Sequence, residues 1–228
     1  WGLDSQSYVI EHLVFWGETA QYQVWKDLDD YLQRRYERET LPSLSIACVS
    51  IDSGYQTQSV YNFVKPRQGR RIFAIKGQSQ AGKPIAGKSS QSGRQRVQLF
   101  AAGVDTCKET LFSWLQVDEP GPGYIHFAAT MDEEYFKQLT AEKRAIKYVR
   151  GRKSVVWVQK RDRNEALDCY NYSLVALHIL NPDLERIANK PDPVEQTQEE
   201  VPVKEAKPRD LIKERRTQKR KKSFVKDW

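Results

Sequence analysis

The sequence predicts an α/β domain, a mixed central sheet flanked by helices, followed by a disordered basic tail. Three observations carry this. Short β-rich runs alternate with segments of helical periodicity from residue 7 to 180. Two apolar runs, "LSIACVSIDSG" (44–54) and "RRIFAIKG" (70–77), are long enough for buried strands and stop at Asp52 and Lys76. After Pro182 the composition shifts to Pro, Glu and Gln and then to Lys and Arg, with nothing to bury. Residues 1–181 are therefore expected to form the folded domain and 182–228 a flexible linker and basic tail.

"SYVIEHLVFW" (7–16) has the β-branched and aromatic content of a strand, and "KDLDDYLQRRYER" (26–38) spaces Leu28, Tyr31 and Leu32 as a helix does. The run ending at Asp52 predicts a central strand, and a second strand ends at Lys76. Gly77 to Gln95 is Gly, Ser, Gln and Lys without periodicity, which predicts an irregular mobile loop. Strand character returns at "RVQLFAAGV". Thr106 and Glu109 have the spacing of a capping box for "CKETLFSWL", a helix with Cys107, Leu111 and Trp114 on one face. "GPGYIHFA" is a turn and a strand. "DEEYFKQLTAEKRAIKYVRG" is expected to be one long helix stopped by Gly151, "KSVVWVQ" another strand, and "RNEALDC" the opening of a helix with Leu167, Tyr170, Leu174 and Leu177 along one side.

Charge is unevenly placed. From Lys204 to Trp228 there are eleven Lys or Arg and four acids, so the net +7 of the chain resides in the tail and residues 1–203 are neutral. Seven of the basic residues fall between Lys213 and Lys222, the pattern of an arm that binds nucleic acid without choosing a sequence. Inside the neutral body, Lys65 to Arg96 holds nine basic residues and no acid. Arg70, Arg71, Lys76, Lys83, Lys88, Arg94 and Arg96 of that strip are the candidate contacts to a polyanion. Cys48, Cys107 and Cys169 form no CxxC pair and are read as reduced packing residues. No run is long enough for a membrane span, and no membrane partner is expected.

"GKPIAGKS" (82–89) matches the phosphate-loop pattern letter for letter, but a working phosphate loop leaves a buried strand directly and enters a helix. Here the nearest strand is expected to end at Lys76 and "SQSGRQR" has no helical pattern, so no nucleotide is expected at this loop. Asp52, Glu165 and Asp168 make a different constellation. Sites in α/β sheets collect beyond the carboxyl ends of strands, and Glu165 and Asp168 share a helix face. Such carboxylates suit hard divalent cations, and two ions together can activate water and stabilise the leaving oxygen of a phosphodiester. Lys76 could face the scissile phosphate. The plainer alternatives are helix-dipole complementation for the pair and a turn amide for Asp52.

"IDSGYQTQSVY", "FAIKG", "GVDTCKE", "GYIHF", "QLTAEK" and "RNEALDCYNYSLVAL" stand in the order found in another family. On these stretches the chain, from about Trp1 to Leu180, resembles the endonuclease domain of lambda-like phage terminase large subunits. The resemblance implies an RNase H-like nuclease fold and cutting of concatemeric double-stranded viral DNA with two Mg²⁺ or Mn²⁺ ions during packaging. Its expected partners are the terminase small subunit, the procapsid portal and an upstream ATPase domain, in the host cell cytoplasm.

By the same resemblance Asp52, Glu165 and Asp168 would be metal ligands and catalytic, Asp105 a further ligand or a helix-start residue, and Lys76 a phosphate contact. In that family the domain opens with a strand carrying "GVDV", whose aspartate would be a first ligand; this sequence begins beyond it, at Trp1 and Gly2. It is therefore expected to be a piece of a longer protein. The competing reading is a DNA-binding or docking module of the same fold without activity.

Overall fold

The computed structural model describes residues 1–39, 41–94, 96–149 and 151–189. Of the linker and tail expected over 182–228, residues 190–228, with the basic run Lys213 to Lys222, lie outside the described residues. In chain order the elements are β1 (Ser7–Val9), α1 (Tyr22–Leu32), β2 (Arg35–Tyr36), β3 (Leu44–Ser45), β4 (Val49–Asp52), α2 (Thr57–Val64), β5 (Ile72–Gln78), β6 (Ala86–Ser92) and β7 (Val97–Gly103). There follow α3 (Val104–Trp114), β8 (Ile125–Phe127), α4 (Glu133–Leu139), β9 (Glu142–Val149), β10 (Arg152–Gln159), α5 (Glu165–Leu180) and α6 (Leu184–Ala188). None of the described helices is long and apolar enough to cross a membrane.

A four-stranded sheet in the order β4-β5-β7-β6 is the frame, with β4, β5 and β7 parallel and β6 antiparallel to β7. Period-two alternation divides its side chains between two cores. Ile72, Ala74 and Val97 face one way and meet Val60, Phe63 and Val64 of α2, with Trp25 and Leu28 of α1 at the flank. Ile75 and Ala102 face the other way and meet Cys107 of α3 and Leu174 and Val175 of α5. A third cluster, Leu111, Ile125, Tyr135, Leu139, Leu167 and Tyr170, joins α3, β8, α4 and α5. Helices on both faces of a mostly parallel sheet thus bury both sides of β5 and β7, which explains their continuous apolar runs.

Four sequence expectations are corrected. The strand ending at Asp52 is not central: among the described residues β4 pairs with β5 alone, at the edge of the sheet. The stretch expected as an irregular loop contains β6, whose Ala, Gly, Ser and Gln have little strand propensity and are held by pairing with β7. The predicted long helix ends at Leu139, and residues 142–149 pair residue for residue with β10 around Gly151, whose φ of +77° suits a hairpin turn. Finally, α3 starts at Val104 without a side-chain cap. Thr106 makes no capping box and donates its hydroxyl to the Lys83 carbonyl at 2.6 Å. In addition α6 forms within the stretch expected to be linker, capped by Asp183, which accepts from the Arg186 amide.

Candidate active site at the carboxyl ends of the strands

Parallel register brings the candidate acids to one end of the sheet. Asp52 closes β4 opposite Ile75 of β5, and β7 ends at Gly103 beside Gln78. Asp105 follows in the first turn of α3, and Glu165 and Asp168 occupy the first turn of α5. Asp52, Glu165 and Asp168 line a single cleft of about 680 Å³ between β4 and α5. Its wall is otherwise mostly apolar, including Leu28, Ile51, Ala176 and Leu177.

Each acid has its own surroundings. Asp52 is exposed, and its Oδ1 accepts the Gly54 amide at 3.0 Å, so the turn-amide role holds for one oxygen while the carboxylate still faces the cleft. Glu165 is exposed and lies 3.4 Å from Arg163. Asp168 is half-buried and its pKa is pushed up to about 6, by burial first. Lys108 opposes that shift, and the charges of Glu142, Asp52 and Glu165 add to it. Asp105 is also raised by burial, against the pull of Lys108, but it senses Glu109 and Glu142 rather than Asp168.

Two buried ions that sequence reasoning gave no role stand next to this cluster. Lys108 of α3 donates to Glu142 at the start of β9 across 2.6 Å, with the residues 9% and 7% exposed. The other Glu142 oxygen accepts from Asn164, the residue preceding α5, at 3.5 Å. Gln138 of α4 accepts the Ala166 amide through its side-chain oxygen at 3.3 Å. Gln138 of α4 therefore satisfies an amide in the opening turn of α5 that would otherwise be unpaired, and Glu142 of β9, held by Lys108 of α3, bonds the residue before that turn. Both ions lay in stretches that carried the family resemblance, "GVDTCKE" and "QLTAEK", yet a cation and an acid 34 residues apart give no local signal of pairing. Tyr172 was missed too: it lines the cleft one turn beyond Asp168, and its hydroxyl is raised by burial and then by the charges of Asp168 and Asp52.

The basic strip does not stay together. Arg71 sits at the start of β5, where its carbonyl accepts the Val49 amide, and Arg94 and Arg96 lie in and beside the β6–β7 turn, at the end of the sheet away from Asp52. At that end Arg70 is paired with Asp29 at 2.6 Å and Arg96 with Gln91 at 2.6 Å. At the acidic end are Lys76, exposed and opposite Ala101; Lys83, whose amide bonds Gln80; and Lys88, exposed within β6. The "GKPIAGKS" segment runs through a turn into β6 and has no helix after it, so its amides do not converge as a phosphate loop requires. Of the three thiols, all free, only Cys107 is buried; Cys169 is exposed and lines the cleft.

No three His, Cys, Asp or Glu side chains among the described residues gather closely enough to hold a metal ion by themselves. The donor set nevertheless suits a hard cation that keeps its water. Mg²⁺ is commonly held by one or two carboxylates together with substrate phosphate, and a bound cation would offset both the burial that chiefly raises Asp168 and the smaller repulsion from Glu142, Asp52 and Glu165.

The profile of the family described as "Terminase large subunit gpA, endonuclease domain" matches residues 1–189. The terminase large subunit of Escherichia phage lambda is 34% identical over 187 residues, covering 78% of this chain and 29% of that protein. The terminase large subunit of Enterobacteria phage P21 is 27% identical over 190 residues, again 78% of this chain and 29% of that protein. The chain thus spans about 29% of the length of these curated relatives. No solved structure matches.

Proposed function

This chain belongs to the terminase large subunit endonuclease-domain family, and from that premise we propose that it hydrolyses phosphodiester bonds of double-stranded viral DNA with Mg²⁺ or Mn²⁺ at the Asp52, Glu165 and Asp168 cleft. The observation that carries the reading is the convergence of Asp52 with Glu165 and Asp168, more than a hundred residues apart in the chain, on one cleft at the carboxyl ends of the strands. Asp52 and Asp168 would hold the cation, with Glu165 beside them. Bound there, such an ion supplies Lewis acidity to the phosphodiester and lowers the pKa of water.

The chain's own residues have separate tasks. Lys108 and Glu142 fix the first turn of α5 and so set where Asp168 points. Lys76, exposed one strand over from Asp52, meets the anionic phosphate. The apolar wall of the cleft limits water around the half-buried Asp168 and strengthens its attraction for a cation.

The RNase H-like fold, the two-ion form of the mechanism, the host cytoplasm as the place of action, and the small subunit, portal and ATPase domain as partners follow from the same reading. A further strand lying along the open edge of β4 would bring an additional carboxylate. The rival, a DNA-binding or docking module without activity, is favoured by the lack of a closed three-acid cluster among the described residues. Nicking of supercoiled plasmid in Mn²⁺ or Mg²⁺ separates the two. Activity abolished by Asp52→Ala and by Asp168→Asn supports the nuclease. Activity that survives both, or none in the native chain despite DNA binding, supports the rival.

A further inference from the structure

β9, expected from the sequence as the second half of a long helix, pairs instead with the strand β10, and the surface of the ribbon they form has no use in the site described above. From Lys143 to Lys153 the chain has six Lys or Arg and no acid. Eight residue pairs join the strands, giving a two-stranded arm of roughly 26 Å at about 3.3 Å per residue. The cross-strand register places Lys143 and Lys147 on one face and Arg144, Ile146 and Tyr148 with Lys153 on the other.

The root of the arm is anchored. Glu142 holds Lys108 at 2.6 Å, Trp157 packs on Phe112 of α3 with ring centroids 5.0 Å apart, and the Lys160 amide bonds the Ala141 carbonyl at 2.7 Å. Among the described residues the arm pairs with no other strand beyond its root, and Ile146 and Tyr148 are 55% and 75% exposed. Isolated two-stranded ribbons are marginal in water, and exposed apolar residues on such a ribbon are a liability unless something covers them.

Several cations of the domain body are neutralised, whereas those of the arm, like Lys76 and Lys88 near the acidic cleft, have no acid partner among the described residues. Arg67, Arg70, Lys108, Arg161 and Arg163 each have an acid partner. The side chains of Lys143, Arg144, Lys147 and Lys153 have neither an ion pair nor a hydrogen bond to any described residue. A run of like charges with no counter-ion is most often a solvated surface. Here it is also ordered as a ribbon, rooted beside the acidic cleft through Glu142, and shaped like the element that a major groove admits.

We propose that the β9–β10 ribbon is a DNA-binding arm: its cations lie on the phosphates of the duplex that leads away from the acidic cleft, and Ile146 and Tyr148 are covered by that duplex. The inference rests on the nuclease reading for the identity of the polyanion and adds to it the element that holds the DNA. The contacts are to the backbone and are independent of sequence.

The test is binding of the full 228-residue chain to a short duplex of arbitrary sequence, in EDTA so that cleavage does not enter, across a range of salt. Lys143→Gln, Lys147→Gln and Lys153→Gln combined should weaken binding at low salt roughly tenfold or more and reduce the log-log salt slope by about 2 to 3. The corresponding three Lys→Arg changes should bind like the native chain. A matched control, Lys26→Gln, Lys137→Gln and Arg186→Gln, removes the same charge from side chains already paired to acids and should change little. Unchanged affinity and slope in the ribbon variant overturns the arm while leaving the nuclease reading intact, as does equal loss in ribbon and control variants. A ribbon variant that keeps DNA but loses capture by an acidic packaging protein also overturns it. No DNA binding by the native chain overturns the arm, and the plasmid nicking assay then judges the nuclease reading separately.

Discussion

Lys108 Nζ lies 2.6 Å from Glu142 Oε2, an ion pair almost wholly out of solvent that ties α3 to β9 next to the turn bearing Glu165 and Asp168. Removing one partner of such a pair strands the other charge in a poorly solvating environment, whereas removing both can be nearly neutral.

Lys108→Met should therefore destabilise the fold by about 3 to 5 kcal/mol, and Lys108→Met with Glu142→Met should recover most of the loss. Urea unfolding of the two single variants and the double variant makes a double-mutant cycle. Additive losses would mean that the two side chains do not depend on each other.

Asp168 gives a pH dependence. Its folded pKa, about 6, lies above the unfolded value near 3.9, so between those values the folded state binds more protons than the unfolded one. Stability contributed by this group is then greatest below the unfolded pKa and is lost as pH rises through about 6. In EDTA, Asp168→Asn should be more stable than the native chain at pH 7 to 8, with the difference shrinking as pH falls toward about 4. A difference that grows on acidification would contradict this.

Added Mg²⁺ or Mn²⁺ should reverse that cost, because the cation competes with the proton for the same carboxylates. Thermal stabilisation by the metal is expected at pH 7 to 8, much less at pH 5, and little in Asp52→Ala. Thermal melts with and without metal at both pH values test it; equal stabilisation at both would place the ion elsewhere.

Gly103 closes β7 where the backbone of residues 83–84 passes over it. A Cβ there would fall 2.5 Å from the Pro84 carbonyl oxygen and 2.7 Å from that of Lys83, both main-chain atoms. Gly103→Ala should cost about 1 to 3 kcal/mol, seen as a melting temperature lower by several degrees. An unchanged melting temperature would mean that the 83–84 segment yields freely.

The phosphate-loop pattern should be inert toward nucleotide. Lys88 lies within a strand and no helix follows it, so Mg-ATP should leave the melting temperature of the native chain and of Lys88→Ala alike. An ATP-dependent shift abolished by Lys88→Ala would overturn this.

Features encoded by neighbouring residues were legible in the chain before any folding was considered. The apolar run of β5 announced a buried strand, "RVQLFAAGV" announced the strand β7, and the spacing of Leu167, Tyr170 and Leu174 announced α5, because side-chain periodicity directly reflects which faces must leave water. The candidate acids were legible for a related reason: strand ends and helix starts are where α/β sheets expose polar groups, and Asp52, Glu165 and Asp168 do share a cleft. Tertiary structure decided the rest through partners that no local pattern names. β6 has almost no strand propensity and exists because β7 offers it a ladder. Residues 142–149 could have continued a helix, but β10 supplies eight cross-strand partners. The basic strip, contiguous in sequence, divides between the two ends of the sheet because a strand carries the chain from one end to the other. Lys108 and Glu142 became a buried pair because folding removed both from water together, a burial set by the packing of α3, β9 and α5 and by neither residue's neighbours in the chain.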